Sequence, residues 1–213
     1  PRHLLPPIRR QRQMCIRDRD INFEVSQQAA IALGKIGTNS AATALCELLK
    51  TTAVPVFFKI DAVRALGRIE TQVSLEYLQN LLGYNFLVKV NDWAQIVNEI
   101  IIALGKLEKP ELKPQATNIL IEFIASGNPN LENISVKKSL ALTLGYLGNI
   151  HALEYLIQLL EDGDNSVILH SVAAMKKLDS KKAYQKLVSL SEQATLNSQL
   201  KKGIATALAE WNN

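Results

Sequence analysis

Cysteine, aromatic residues and long apolar runs are all scarce in this chain of 213 residues. The two cysteines, Cys15 and Cys46, are too few for a disulfide framework and have no metal-ligand spacing. Aromatic residues make up 6% of a chain that is 47% hydrophobic, and this balance favours packed helices over a β-sandwich. No stretch approaches the roughly 18 consecutive apolar residues of a membrane-spanning helix. We therefore expect a soluble, cytoplasmic protein that has no cofactor and binds no membrane.

The excess of positive charge lies at the N-terminal end. The formal net charge is +4, and the first 20 residues hold six of the eight arginines, so the rest of the chain is neutral. The stretch from Arg10 to Arg19 resembles translated sequencing-adapter read-through; a basic nucleic-acid arm and a transit peptide are the alternatives. We predict that residues 1–19 are a non-native or disordered segment and that residues 20–213 form a single domain.

A phrase typified by Ala-Leu-Gly-Lys-Ile recurs six times, at intervals of 33, 38, 40, 31 and 33 residues. We call its third position the zero position; it is occupied by Gly34, Gly67, Gly105, Gly145, Lys176 and Ala209. Apolar residues stand nine before, one before and two after it in all six copies, on one face of a helix. Each phrase thus predicts the end of an amphipathic helix, helix A. Glycine inside a helix costs about 1 kcal/mol, so its recurrence predicts a close approach of backbones.

A second apolar face, eleven and fourteen residues after the zero position, predicts a helix B in the first five copies. Thirteen residues after it the side chain is always polar: Glu47, Asn80, Asn118, Gln158 and Ser189. Turn signals between A and B include Gly37, Gly148 and the pair Asp179 and Ser180. We predict five A–B pairs and a final helix A, with loops near residues 37–40, 83–91, 126–133, 148–150 and 162–165.

Helical pairs that bury their apolar faces only by stacking predict an all-α fold, a right-handed α-solenoid of about five and a half HEAT-like helical hairpin repeats. Tetratricopeptide repeats would need Trp, Gly, Tyr and Pro in register, and armadillo repeats would need a third helix in each unit. The register predicts near-complete burial of Leu33, Leu66, Ile69, Leu78, Leu81, Leu104, Leu144, Leu147 and Leu156. At the last helix we expect Trp211 to pack against the preceding unit, and Ile204 and Leu208 to leave apolar surface.

The phrase at residues 32–37 and the Ala/Leu-rich helix after it resemble the HEAT-like repeats of phycobilin lyases of the E/F type, and the likeness extends over residues 22–213. Copies in that family usually begin helix A with Val-Arg. Here the apolar residue is kept six times, whereas the next residue is basic only at Lys59, Lys137 and Lys201. The resemblance implies a lyase or chaperone that attaches an open-chain tetrapyrrole to phycobiliprotein cysteines through a thioether. The partners it implies are a phycobiliprotein subunit or a second lyase subunit, and a bilin.

The B helices of such solenoids line the concave side. We therefore take as concave-face binding candidates Glu47, Glu76, Asn80, Asn118, Glu122, Glu154, Gln158, Gln185 and Ser189, and as pigment-packing candidates Tyr84, Trp93 and Tyr155. The resemblance implies that Glu76, Glu122 or Glu154 faces the pyrrole nitrogens and that Lys182 or Lys186 pairs with the propionates. The alternative for each of these residues is that it is an ordinary surface or packing residue with no role in binding.

Non-catalytic binding of a protein partner along the concave face is the alternative function, because no nucleophile–base pair, metal cluster or phosphate loop is visible. The acid- and amide-rich groove argues against nucleic acid, which needs aligned Lys and Arg. The lysines between Lys176 and Lys186, with Lys201 and Lys202, indicate a solvated face. The isolated His151 and His170 indicate ordinary surface or helix-start positions.

Overall fold

The computed structural model describes residues 24–50, 55–83, 90–193 and 195–211, and every regular element in these ranges is helical. The helices are α1 (24–36), α2 (Asn39–Lys50), α3 (Val56–Ile69), α4 (Gln72–Gly83), α5 (Val90–Gly105), α6 (Lys113–Ala125), α7 (Ile134–Leu147), α8 (Leu153–Gln158), α9 (Asn165–Ser191) and α10 (Ser198–Trp211). Short 3-10 helices occupy Pro110–Leu112, Pro129–Glu132, Ile150–Ala152 and Leu159–Glu161. The predicted segment 1–19 and most of the predicted loop 83–91 lie outside the described residues.

These helices form the predicted pairs, so the chain is an α-solenoid. Helices A of units 1 to 4 are α1, α3, α5 and α7; helices B are α2, α4, α6 and α8. The two halves of α9 are the fifth pair, and α10 is the sixth helix A. Helix α3 packs on α5, α5 on α7, α7 on α9 and α9 on α10, while α4 packs on α2 and α6.

The fifth hairpin has no loop between its two helices, and none of the predicted loops falls there. The backbone leaves the helical region at Asp179 alone, with φ −162° and ψ 95°. The Asp179 carboxylate accepts a hydrogen bond from the backbone N–H of Lys182 at 2.9 Å. The aspartate thus caps a new helix within one turn, and the turn predicted at Asp179 and Ser180 is reduced to a kink.

The zero-position glycines lie where successive helices A touch, as predicted. Gly34 faces Ala65, Gly67 faces Ala103, Gly105 faces Thr143, and Gly145 faces Ala174. A Cβ added at Gly145 would lie 2.8 Å from both the Cα and the Cβ of Ala174, nearer than carbon atoms pack. Each glycine therefore meets the residue two before the zero position of the next unit, and this contact offsets its low helix propensity.

Eight of the nine side chains predicted to be buried are 6% exposed or less. The prediction for Leu33 is wrong, because this residue of α1 is only half-buried. Val25 and Ile36, at the other two apolar offsets of α1, are 62% and 61% exposed. The physical reason is the position of α1, because no other helix precedes it within the described residues.

The prediction that Ile204 would leave apolar surface is also wrong, since Ile204 is 1% exposed. Helix α10 packs against α9 and against the 3-10 helix Leu159–Glu161 that ends the fourth helix B. Gly203 permits this approach, because a Cβ there would overlap the carbonyl group of Leu160. Leu208 and Trp211 are half-buried, and the Trp211 ring lies 6.1 Å from that of Tyr184. Trp211 thus packs against the preceding unit as predicted.

Candidate functional site

The polar series on the B helices lies on the surface. All nine concave-face candidates are exposed, namely Glu47, Glu76, Asn80, Asn118, Glu122, Glu154, Gln158, Gln185 and Ser189. The apolar residues eleven after the zero position, from Leu45 to Leu187, are fully buried on the opposite side of the same helices. We call the exposed side, defined by the nine candidates, the B face.

Side-chain contacts link neighbouring B helices at three places on this face. The hydroxyl groups of Thr43 and Tyr77 lie 3.2 Å apart between α2 and α4. Gln79 of α4 donates to the Glu122 carboxylate of α6 at 2.9 Å. At the far end of the stack, Lys186 Nζ lies 2.8 Å from Glu154 Oε1.

The carboxylates of the B face are already engaged. Glu47 pairs with Lys50 at 2.7 Å, and this hydrogen bond raises the pKa of Lys50. Glu76 accepts a hydrogen bond from Gln72 at 3.2 Å. Exposed pairs of this kind contribute at most about 1 kcal/mol, so a ligand can exchange them at low cost.

The structure describes two of the three pigment-packing candidates. Tyr84 lies outside the described residues. Trp93 lies in the core with 6% of its surface exposed, so its ring offers little surface to a ligand. Tyr155 is half-buried on α8, next to Glu154 and in the same short helix as Gln158. Of the two described candidates, Tyr155 is therefore the one that lies beside B-face residues.

Cys46 of α2 is buried in the hydrophobic core, with 4% of its surface exposed. Removal from water raises the pKa of its thiol, against smaller opposing effects of Lys50. A neutral, covered thiol is a poor nucleophile. In the part of the chain that the structure describes, no group of His, Cys, Asp and Glu side chains is arranged to hold a metal ion.

Most of the C-terminal lysines contact their own chain. Lys176 Nζ donates to the Glu210 carbonyl oxygen at 3.0 Å, and Lys177 Nζ lies 3.7 Å from the centre of the Tyr146 ring. Lys182 lies 3.7 Å from Asp179. His170 Nδ1 lies 2.6 Å from the backbone oxygen of Ser166, one helical turn earlier, and His151 is exposed.

A cleft on the other side of the stack was not found by sequence reasoning. It lies between α3, α5 and the turn after α5, with a volume of about 830 Å³. We call it the A cleft; its charged lining is Arg64, Arg68, Glu70, Glu99, Lys106, Glu108 and Lys109. Arg64 donates to both carboxylate oxygens of Glu99, at 2.8 and 3.1 Å, and hydrogen bonding to Glu99 raises the pKa of Arg64.

The residues that directly follow the zero position carried a sequence signal for the A cleft. In the first five units they are Lys35, Arg68, Lys106, Tyr146 and Lys177, four of them cationic and all exposed. Cations in the last turn of a helix interact favourably with its dipole. A cation at this position is therefore common for a structural reason, and the sequence alone does not mark it as a binding residue.

Comparison with known proteins identifies the repeat type. The family model described as PBS lyase HEAT-like repeat matches residues 27–51 and 58–84, which cover units 1 and 2. No curated protein matches the sequence. Within the described residues, none of the helices has both the length and the apolar character to cross a membrane.

Among solved structures, two engineered proteins from the Northeast Structural Genomics Consortium are similar to the chain. The first is 20% identical with a TM-score of 0.39, and the match covers 88% of this chain and 92% of that one. The second is 15% identical with a TM-score of 0.34, over 87% and 90% of the two chains. With TM-scores this low, the fold assignment rests on the helices described above.

Proposed function

We propose that this HEAT-like repeat protein acts as a lyase or chaperone of the phycobilin lyase type, assisting attachment of an open-chain tetrapyrrole to phycobiliprotein cysteines. The supporting observation is the match of the PBS lyase HEAT-like repeat model to units 1 and 2, whose B helices carry Glu47, Glu76 and Asn80. In this proposal the B face binds the phycobiliprotein subunit or a second lyase subunit.

Glu154 and Lys186 are the pair that we propose to meet the pigment. They lie 2.8 Å apart, and their side chains are 61% and 43% exposed. Separating such an exposed pair therefore requires little free energy. A propionate that pairs with Lys186 frees the Glu154 carboxylate to accept hydrogen bonds from pyrrole N–H groups. Tyr155, which is half-buried, follows Glu154 directly in α8. The propionate and the pyrrole N–H groups of the pigment would thus both be bound, and no additional charge would be buried.

Co-expression with a bilin and phycobiliprotein subunits tests this role. We expect covalent colour on the phycobiliprotein that depends on the chain and falls in the Glu154→Gln, Lys186→Gln double variant. Lys202→Gln, which removes one exposed charge from α10, is the control and should leave the yield unchanged. Colour formation that is independent of the chain would contradict the proposal.

A non-catalytic scaffold that binds a protein partner along the B face is the second candidate. It is supported by the B face itself, whose nine polar residues are all exposed along successive B helices, as on the extended binding surfaces of repeat proteins. The same co-expression separates the two functions. A subunit that co-purifies with the chain without acquiring colour favours the scaffold, and covalent colour favours the lyase type.

A further inference from the structure

The A cleft is bordered by a residue in a strained conformation. Three residues after the zero position, the backbone is left-handed in three units: Gly37 has φ 66°, Glu70 has φ 48° and Gly148 has φ 72°. Glycine adopts this region freely, whereas a side chain such as that of Glu70 is unfavourable there. Unit 2 thus retains a glutamate where units 1 and 4 use glycine, and such strain concentrates at functional sites.

Glu70 joins two units through three hydrogen bonds. Its carboxylate accepts from the backbone N–H groups of Glu108 at 2.7 Å and of Lys109 at 3.1 Å. Lys109 Nζ in turn donates to the backbone oxygen of Glu70 at 2.7 Å. These bonds fix the end of α3 against the turn that follows α5. One wall of the A cleft is therefore rigid.

Two cations of the cleft have no partner. Arg64 is neutralised by Glu99, and Lys109 is held by Glu70. Within the described part of the chain, Arg68 and Lys106 make no ion pair or hydrogen bond, and both are exposed. The lining carries four cations and three carboxylates, so its net charge is positive even with Glu108 counted. The cleft is suited to an anion that neutralises Arg68 and Lys106 together.

We propose that the A cleft binds an extended acidic segment of a partner protein, whose carboxylates pair with Arg68 and Lys106. The two cations occupy the same register at the C-terminal ends of neighbouring helices A, and Gly67 and Ala103 bring these helices into contact. Axes of packed helices lie about 8–10 Å apart, and an extended chain advances about 3.3 Å per residue. Carboxylates two or three residues apart therefore reach both cations.

A chain fits the cleft better than a small ion does. Lys35 occupies the same register one unit earlier and is exposed, so the row of cations continues beyond the cleft. A cavity of about 830 Å³ is also far larger than one carboxylate or phosphate group. The half-buried Ile102 provides apolar surface between the charged groups.

The probe is a fluorescent peptide with glutamate at every third position, titrated with the full chain at low salt and followed by anisotropy. We expect binding, and weakening by about two- to fivefold in Arg68→Gln and in Lys106→Gln, the range for exposed ion pairs. Lys177→Gln, at the same register in unit 5, should bind as the native chain does. The same peptide with glutamine in place of glutamate should not bind.

Glu70→Gly tests the hydrogen-bonded wall. Glycine suits the left-handed backbone, so we expect this variant to stay folded, while the backbone amides of residues 108 and 109 exchange hydrogen faster because their hydrogen bonds to Glu70 are lost. Unchanged amide exchange at residues 108 and 109 would contradict the wall's role. Equal binding by the Arg68→Gln, Lys106→Gln double variant, or binding of inorganic phosphate without binding of the peptide, would overturn the proposal. No pigment is present in this titration, so its outcome is independent of the tetrapyrrole function.

Discussion

The two ends of the described stack bury the same apolar offsets to different degrees. In α1, Val25 and Ile36 are about 60% exposed and Leu33 is half-buried. In α10, the equivalent residues Leu200, Leu208 and Trp211 are all half-buried, and Ile204 beside them is 1% exposed. Helix α10 packs on both α9 and the 3-10 helix Leu159–Glu161. An apolar offset thus marks a residue that can be buried, and the adjoining unit determines whether it is.

The zero position shows the same contrast along the stack. Gly145 lets α7 touch α9 at Ala174. The equivalent residue of the next unit, Lys176, instead donates to the Glu210 carbonyl oxygen, and its Nζ lies 5.5 Å from the centre of the Trp211 ring. Between α9 and α10, a hydrogen bond and a cation–π contact of Lys176 therefore stand where the earlier helices A have a close backbone contact.

Core truncation should give the largest difference between the middle and the end of the stack. Leu104→Ala and Leu144→Ala remove side chains that are 0% exposed, and we expect each to cost about 2–5 kcal/mol. Leu33→Ala should cost about 1 kcal/mol, since its side chain already has partial contact with water. Denaturant unfolding measures these values, and equal losses at the three sites would contradict the role given to the adjoining unit.

Glycine replacement should give the next largest difference. Gly145→Ala puts a methyl group 2.8 Å from Ala174, and we expect a cost of about 1–3 kcal/mol. An alanine at Gly83 has no heavy atom within 4 Å, so Gly83→Ala should be neutral or stabilising by up to about 1 kcal/mol. Adding Ala174→Gly to Gly145→Ala should restore part of the loss. A destabilising Gly83→Ala, or no rescue, would argue against a specific contact.

Acid should weaken the start of α9 more modestly. Hydrogen bonds from the Ser166 hydroxyl, and then from backbone N–H groups, lower the pKa of Asp164, the N-cap residue. A carboxylate with a lowered pKa stabilises the fold above its unfolded-state pKa, and this stability is lost as the pH falls through the folded-state value. We expect Asp164→Asn to flatten the pH dependence of stability below about pH 4, the usual pKa of an aspartate. An unchanged profile would contradict the capping role.

Deletion of residues 1–19 should have the smallest effect. This segment has no periodic apolar face, so we predict an unchanged melting temperature. Calorimetry of the full and shortened chains is the measurement. A clear drop would show that the segment contributes to the fold.

Sequence reasoning identified the helices and their register because both depend on local patterns. The glycine contacts were predictable for the same reason, since Gly67 and Gly105 recur at one point of the repeat. Leu33 and Ile204 were misjudged because their burial depends on which unit adjoins them. The A cleft was missed because the cations one after the zero position, such as Arg68 and Lys106, also suit the ordinary role of residues at a helix C-terminus. The left-handed conformation of Glu70 at its border has no residue pattern that announces it.

The contacts of the zero-position glycines also bear on how the chain folds. Each joins residues only 29 to 38 positions apart, such as Gly34 with Ala65 and Gly145 with Ala174. Such low contact order removes the entropic barrier of closing long loops and favours rapid folding. On the ribosome, each hairpin can dock onto the one before it as soon as it emerges, without waiting for the C-terminus. The glycines that let helices touch therefore also let the stack grow one unit at a time.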